Sequence, residues 1–269
     1  MSYKLVAVDL DGTLVGEDLT VAPATIAAVR AARELGVTTT IATGRMFKAA
    51  RHFGAILGVD APLICYHGAL IRRSQSGETL YEQLMPPAPS MALVADMLDA
   101  GLETIAYVDE QLWVAARTEY IEWYIRFQPE QVDVVIAPDL ARAVGDRPAT
   151  KILFAADGQT VTRELARLTA RFGGELGTVR SAERLGEFTA PGVSKGAALA
   201  QLAQILGVSR DEVIAIGDHE NDISMIEWAG LGLAMGNAVE PVRQIADAVV
   251  PPVSEAGVAR AIERYVLGR

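Results

Sequence analysis

The sequence predicts an α/β protein: a doubly wound, Rossmann-like parallel sheet interrupted by an inserted α+β domain. Three observations carry this. The first third alternates short apolar runs with helix-forming stretches, a rhythm that implies parallel strands covered by helices. The same rhythm returns at about Glu187 and runs to the end of the chain. The block between them mixes hairpin signals with helices and lacks the rhythm. We therefore expect residues 1–83 and 189–269 to form one core and residues 84–188 an inserted domain.

The elements follow in order. Lys4–Asp9 is an apolar strand, and Ala24–Leu35 is an Ala-rich helix stopped by Gly36. Val37–Ala42 is β-branched and reads as a strand, Met46–Leu57 as a helix and Pro62–Cys65 as a third strand. Gly68–Tyr81, with Ser-Gln-Ser-Gly between two apolar stretches, suggests a hairpin. Three prolines within Pro86–Pro89 suggest a linker. Beyond them, Met91–Ala100 reads as a helix, Thr104–Val108 and Gln111–Ala116 as a hairpin about Asp109-Glu110, and Glu119–Phe127 as an aromatic-rich helix. Thr150–Ala155 is a strand, and Thr160–Phe172 a helix broken by Gly173-Gly174. In the last third, Lys195–Leu206 is helical, Val213–Ile216 a strand, Gly217–Asp222 a loop and Ile223–Ala229 a helix. Leu231–Ala234 and Ala248–Val250 are strands, and Glu255–Leu267 closes the chain as a helix.

Composition bounds the function. A chain of 269 residues, 51% hydrophobic and 22% charged, is an ordinary globular protein with room for a buried core. Its net charge of −10 argues against coating nucleic acid, which needs clustered Lys and Arg. A phosphorylated ligand would be repelled at long range, so its site needs local positive charge from a metal or from Lys and Arg. The single cysteine, Cys65, lies in an apolar run and reads as a small core residue. No apolar run is long enough to span a bilayer, which points to a soluble, cytoplasmic protein with no membrane partner.

In an open parallel sheet, ligands bind beyond the carboxyl ends of the strands. Four polar clusters fall at or near such places: Asp9-Leu10-Asp11-Gly12-Thr13, Thr43-Gly44-Arg45, Gly192-Val193-Ser194-Lys195-Gly196, and Gly217-Asp218-His219-Glu220-Asn221-Asp222. Alternation along a strand brings Asp9 and Asp11 to one face if the strand geometry persists. Two carboxylates so placed repel unless a cation lies between them or one holds a proton. A carboxylate attacks phosphorus, and a second protonates the leaving oxygen and then activates water. Mg²⁺ takes oxygen ligands, and Asp218 and Asp222 are spaced to supply more of them. Thr43 offers a hydroxyl, Gly44 an unshielded amide at a helix N-terminus, and Lys195 a point charge. Each cluster also has a plain structural reading. Asp-Leu-Asp-Gly-Thr alone is an Asx-type turn, Thr43 a helix cap, Lys195 a solvated first-turn residue, and Asp218–Asp222 an exposed acidic loop. Arg45 either touches phosphate or pairs with an acid.

Taken together, these clusters resemble the haloacid dehalogenase-like hydrolases, and most closely the Cof-type branch with its inserted cap. The resemblance covers the whole chain and includes Ala234-Met235-Gly236-Asn237-Ala238 and the terminal helix at Gly257-Val258. It implies Asp9 as nucleophile and Asp11 as general acid and base. It also implies Mg²⁺ held by Asp9, the backbone carbonyl of Asp11 and Asp218, with Asp222 just outside. The implied phosphate cradle is Leu10, Thr43, Gly44, Lys195 and Asn221; Leu10 and Asn221 come from the resemblance alone. Two positions depart from it: His67 stands where relatives often have Asn, and His219 where they often have Asn or Gly.

The expectation is a Mg²⁺-dependent phosphatase of a small phosphorylated metabolite, a sugar phosphate or nucleotide-like cofactor. It would work through an aspartyl-phosphate on Asp9, as a monomer or small homo-oligomer. A phosphomutase of the same fold is the alternative; a phospho-acceptor or a non-catalytic ligand-binding protein fits less well. Trp113, Tyr120, Trp123 and Tyr124 either line the cap's pocket or fill its core.

Overall fold

The computed structural model describes residues 3–58, 61–126 and 132–269. The chain divides into two compact units, one of Met1–Tyr81 with Ser194–Arg269, the other Glu82–Val193.

The first unit is built on a five-stranded parallel sheet. Its spatial order is Ala248–Val250, Leu231–Met235, Val213–Gly217, Leu5–Val8, Thr38–Ile41. Leu5–Val8 is buried at every position and pairs in register with both neighbours, Leu5 opposite Val213 on one side and Thr38 on the other. Burial on both faces is why this segment reads as a continuous apolar run rather than an alternating one. The chain runs outward one way from Leu5–Val8 to Thr38–Ile41, and the other way from Val213–Gly217 to Ala248–Val250. Right-handed crossovers taken in opposite directions put their helices on opposite faces of the sheet. The helices accordingly pack in two groups: Pro23–Glu34 with Gly257–Tyr265 and Phe47–Leu57, and Lys195–Leu206 with Ile223–Trp228. The reversal between Leu5–Val8 and Val213–Gly217 leaves a crevice at their carboxyl ends, where the connections part in opposite directions. Beside it, a three-stranded sheet of Pro62–Cys65, Leu70–Arg73 and Thr79–Glu82 docks through a parallel bridge between Ala42 and Ile64. Cys65 is buried there.

The second unit has a six-stranded sheet, ordered Gly177–Ala182, Leu185–Thr189, Lys151–Ala155, Glu103–Val108, Gln111–Val114, Val134–Ile136. All pairs are antiparallel except the last. The helices Pro87–Asp99, Leu140–Asp146 and Gly158–Phe172 cover one face, packing Leu93, Leu140 and Leu168 against Ile152, Phe154 and Phe188. The expected hairpin turns at Asp109 and Glu110 with φ of 50° and 60°, as a two-residue turn requires. Trp113 lies in this core, whereas Tyr120 and Trp123, on the Glu119–Arg126 helix, meet at 5.1 Å with Arg184 over both rings. Phe127, the expected end of that helix, lies outside the described residues.

The structure corrects several expectations. The prolines at 86–89 are not a linker but the start of the helix Pro87–Asp99. Proline fits a helix's first turn because the N–H groups it lacks have no partner there. Leu185–Thr189 pairs with Lys151–Ala155 in the second unit rather than reopening the core. Val134–Ile136, Leu140–Asp146, Gly177–Ala182 and the six-residue helix Glu240–Ile245 have no counterpart in the sequence reading. Segments this short carry too few apolar positions to show a period.

Candidate active site

Asp9 extends the first strand by one ladder bond, its N–H donating to the Ile216 carbonyl at 2.9 Å, and then the chain turns. Leu14 and Val15 both donate to the Leu10 carbonyl at 2.9 Å, which folds residues 10–15 into a tight loop over the strand end. The strand geometry therefore does not persist to Asp11, and the two carboxylates part, contrary to the alternation argument. Asp9 is buried against the ammonium of Lys195. Asp11 is half exposed and accepts two bonds from the Arg45 guanidinium, at 2.8 Å from Nε and 2.6 Å from a terminal nitrogen. That settles Arg45's partner: it pairs with an acid.

Lys195 is the first residue of its helix, capped by Ser194, whose hydroxyl accepts from the Ala197 N–H at 3.1 Å. A cation there opposes the helix dipole. Its side chain is nonetheless fully buried, because it bridges Asp9 and Asp222, the latter at 2.5 Å. It is not the solvated residue that position alone suggests. Asp222 is also fully buried, and its other oxygen accepts from the N–H groups of Asp218 and His219 at 2.9 and 3.1 Å. The loop at the carboxyl end of Val213–Gly217 is thus closed on itself by one carboxylate. Asp218 faces the first loop. It accepts from the Thr13 hydroxyl at 2.8 Å, and a Cβ on Gly12, at φ 83°, would lie within 3.0 Å of all three atoms of its carboxylate group. Thr13 therefore links the two loops, and Asn237 ties the first of them to a further segment, donating to the Gly12 carbonyl at 2.8 Å and accepting from Val253 at 2.9 Å. Sequence reasoning assigned neither role; the Gly-Asn-Ala stretch was the one signal for Asn237.

The electrostatics follow from crowding. Ligand atoms of Asp9, Asp218 and Asp222 lie within 4.8 Å of one another, and the first and last of these acids share one ammonium. Burial, then repulsion from Asp222, holds the Asp9 carboxyl well above the usual range, with Lys195 pulling the other way. The same two causes push Asp218 up to about 6, opposed by the Thr13 hydroxyl. Burial disfavours the charge on Lys195, but Asp222 and Asp9 outweigh it and keep the ammonium protonated. Hard carboxylate oxygens with surplus negative charge fit a small divalent cation such as Mg²⁺. The Asp11 carboxylate stands outside this group, turned to Arg45.

The other expected residues gather nearby. Leu10 is fully buried in the first loop. Thr43 follows the end of Thr38–Ile41; its N–H donates to the Ile64 carbonyl at 2.9 Å and its hydroxyl accepts from the Arg45 N–H at 3.1 Å. Gly44 is not at a helix N-terminus, since the helix begins at Phe47. Instead its bare Cα faces the His67 ring: a Cβ there would lie within 2.9 Å of Cε1, Nε2 and Nδ1. Asn221 approaches the same ring, its Nδ2 3.4 Å from His67 Nδ1.

A family model described as haloacid dehalogenase-like hydrolase matches residues 6–262. The 5-amino-6-(5-phospho-D-ribitylamino)uracil phosphatase YcsE of Bacillus subtilis is 31% identical over 267 residues, spanning 99% of this chain and 97% of that protein. The pyridoxal phosphate phosphatase YbhA of Escherichia coli is 28% identical over 277 residues, spanning 99% and 100%. The crystal structure of a haloacid dehalogenase-like hydrolase from Bacteroides thetaiotaomicron superposes with a TM-score of 0.87 at 28% identity, covering 98% of this chain and 99% of that one. No described helix is long and apolar enough to cross a membrane.

Proposed function

Since the chain belongs to the haloacid dehalogenase-like hydrolases and is a phosphoric monoester hydrolase, we propose that Asp9 is its nucleophile and Asp11 its general acid and base. One observation carries this division: the Asp9 carboxylate is buried on Lys195 beside Asp218, while that of Asp11 is half exposed and separately held by Arg45. The two acids occupy different environments and so suit different roles.

A carboxylate oxygen of Asp9 attacks phosphorus as the bond to the leaving oxygen breaks, and the Asp11 carboxyl gives its proton to that oxygen. The product alcohol leaves, and an aspartyl-phosphate remains. Asp11, now a carboxylate, takes a proton from water as the water oxygen attacks phosphorus. Phosphate departs and Asp9 is regenerated. Lys195 works against the burial and repulsion that favour a proton on Asp9, and adds positive charge where the acidic chain lacks it. Asp9, the Asp11 carbonyl and Asp218 would hold Mg²⁺, with Asp222 in support; the ion supplies charge neutralisation for nucleophile and phosphate. Leu10, Thr43, Gly44 and Asn221 contribute to the phosphate cradle.

The substrate class is a small organic phosphate monoester. The two relatives described above are phosphatases named for a ribitylaminouracil phosphate and pyridoxal phosphate, which favours a nucleotide-like or cofactor-like leaving group over a plain sugar. The test is a panel of phosphorylated metabolites with Mg²⁺, scored by phosphate release, with Asp9→Asn as control. The variant should fold, bind and not turn over. Mg²⁺-dependent release by Asp9→Asn at the parent rate would sink the mechanism.

A further inference from the structure

His67 has no part in the mechanism above, yet the fold goes to some length to place it. Tyr66, His67 and Gly68 all have positive φ, at 51°, 59° and 112°. Two successive non-glycine residues in the left-handed region are strained, and such strain persists only where surroundings hold it in place. Two bonds do so: the Tyr66 N–H donates to the Arg45 carbonyl and the His67 N–H to the Thr43 carbonyl, both at 3.0 Å. The turn also packs on the helix that Lys195 begins. The result is a buried imidazole laid against the bare Cα of Gly44, with Nδ1 3.4 Å from Asn221 Nδ2.

The Asn221 amide is only half satisfied in this arrangement. Its Nδ2 donates toward His67 Nδ1, which fits the neutral ring with its proton on Nε2. Its Oδ1 is buried with no partner among the described residues. Turning the amide over exchanges the two atoms: Oδ1 then faces Nδ1, and the N–H₂ group takes the unpartnered position. That position would present a donor, which suits a phosphate oxygen, and the exchange requires a proton on His67 Nδ1.

We propose that His67 is a positioning residue of the phosphate site: it braces the Thr43–Gly44 loop against Asn221, and its ring proton moves to Nδ1 when phosphate binds and the Asn221 amide turns over. The proposal rests on Asn221 belonging to the phosphate cradle.

The test is ¹⁵N NMR of the histidine rings in the full chain, titrated with inorganic phosphate in the presence of MgCl₂. The three histidines are assigned by single substitution. Without phosphate, the His67 Nδ1 resonance should be that of an unprotonated nitrogen; at saturation it should be that of a protonated one. His67→Gly suits the left-handed backbone but removes the ring. It should weaken phosphate binding by about tenfold and raise KM, with kcat changed less than threefold. His67→Asn tolerates the same backbone and restores a hydrogen-bonding amide near the Nδ1 position, so it should recover most of the binding. An Nδ1 signal unmoved at saturation overturns the proposal, as does parent-like phosphate affinity in His67→Gly. Asn221→Ala separates the two readings: parent-like phosphate affinity in that variant removes Asn221 from the cradle, whatever His67 does.

Discussion

Replacing Lys195 by Met should cost more stability than any other single change at the site. The ammonium is fully buried and bridges two carboxylates, Asp222 at 2.5 Å and Asp9 beside it. At 2.5 Å and an effective dielectric of about 20, one such pair attracts by about 7 kcal/mol before desolvation is counted. Desolvation removes much of that, and losing one partner of a buried pair typically costs about 3–5 kcal/mol net. Here the loss leaves two buried carboxylates facing each other, with Asp218 adjoining. Against a total stability on the order of 5–15 kcal/mol, the variant should lose at least about a fifth of its margin. Urea unfolding followed by circular dichroism, without Mg²⁺, measures it. The double variant Lys195→Met/Asp222→Asn removes one orphaned charge and should recover at least about 1.5 kcal/mol relative to the sum of the single changes. A Lys195→Met midpoint equal to the parent's, or strictly additive effects in the cycle, would refute the reasoning.

Other outcomes follow from the same geometry. Asp11→Asn should lower kcat by about 10²–10⁴ in a steady-state assay while leaving the melting temperature nearly unchanged, because its half-exposed pair with Arg45 is worth about 1 kcal/mol or less. Gly12→Ala meets both a left-handed backbone, about 1–2 kcal/mol, and the Asp218 carboxylate. It should reduce stability by at least that much and weaken Mg²⁺ binding in calorimetry. In metal-free protein, Asp9 and Asp218 hold protons more tightly folded than unfolded, so their contribution to stability is full below the ordinary aspartate value of 3.8. It is lost as pH rises, for Asp218 through about 6. Thermal melts without metal should show this decline between about pH 4 and 7, Asp218→Asn should flatten it, and Mg²⁺ should raise the melting temperature more at pH 7.5 than at pH 5.

Much of the core was legible because its signals are local. Leu5–Val8 and Val213–Gly217 are buried on both faces and so are apolar throughout, and Lys195–Leu206 is bounded by Ser194 and Gly207 at its ends. The inserted unit was less legible. Val134–Ile136 is a three-residue edge strand, and Gly177–Ala182 is only half-buried along its length, so neither shows a period. The prolines at 86–89 misled because the same residue that breaks a helix interior is favoured at its start.

What the sequence determined by itself was which chemical groups the site would contain: a pair of acids after the first strand, Thr43, Lys195, and the acids at 218 and 222. Residue type and position at a strand end, or for Lys195 at a helix start, suffice for that. The tertiary structure decided their surroundings. Asp9 and Asp11 are two residues apart, yet one is buried on Lys195 and the other half exposed on Arg45, because the chain turns immediately after Asp9. Lys195 lies 186 residues from Asp9 and becomes its counter-ion because a separate helix begins against the strand end. Charge state, burial and pairing depend on which distant segments share a dielectric environment, and that is a property of the folded chain alone.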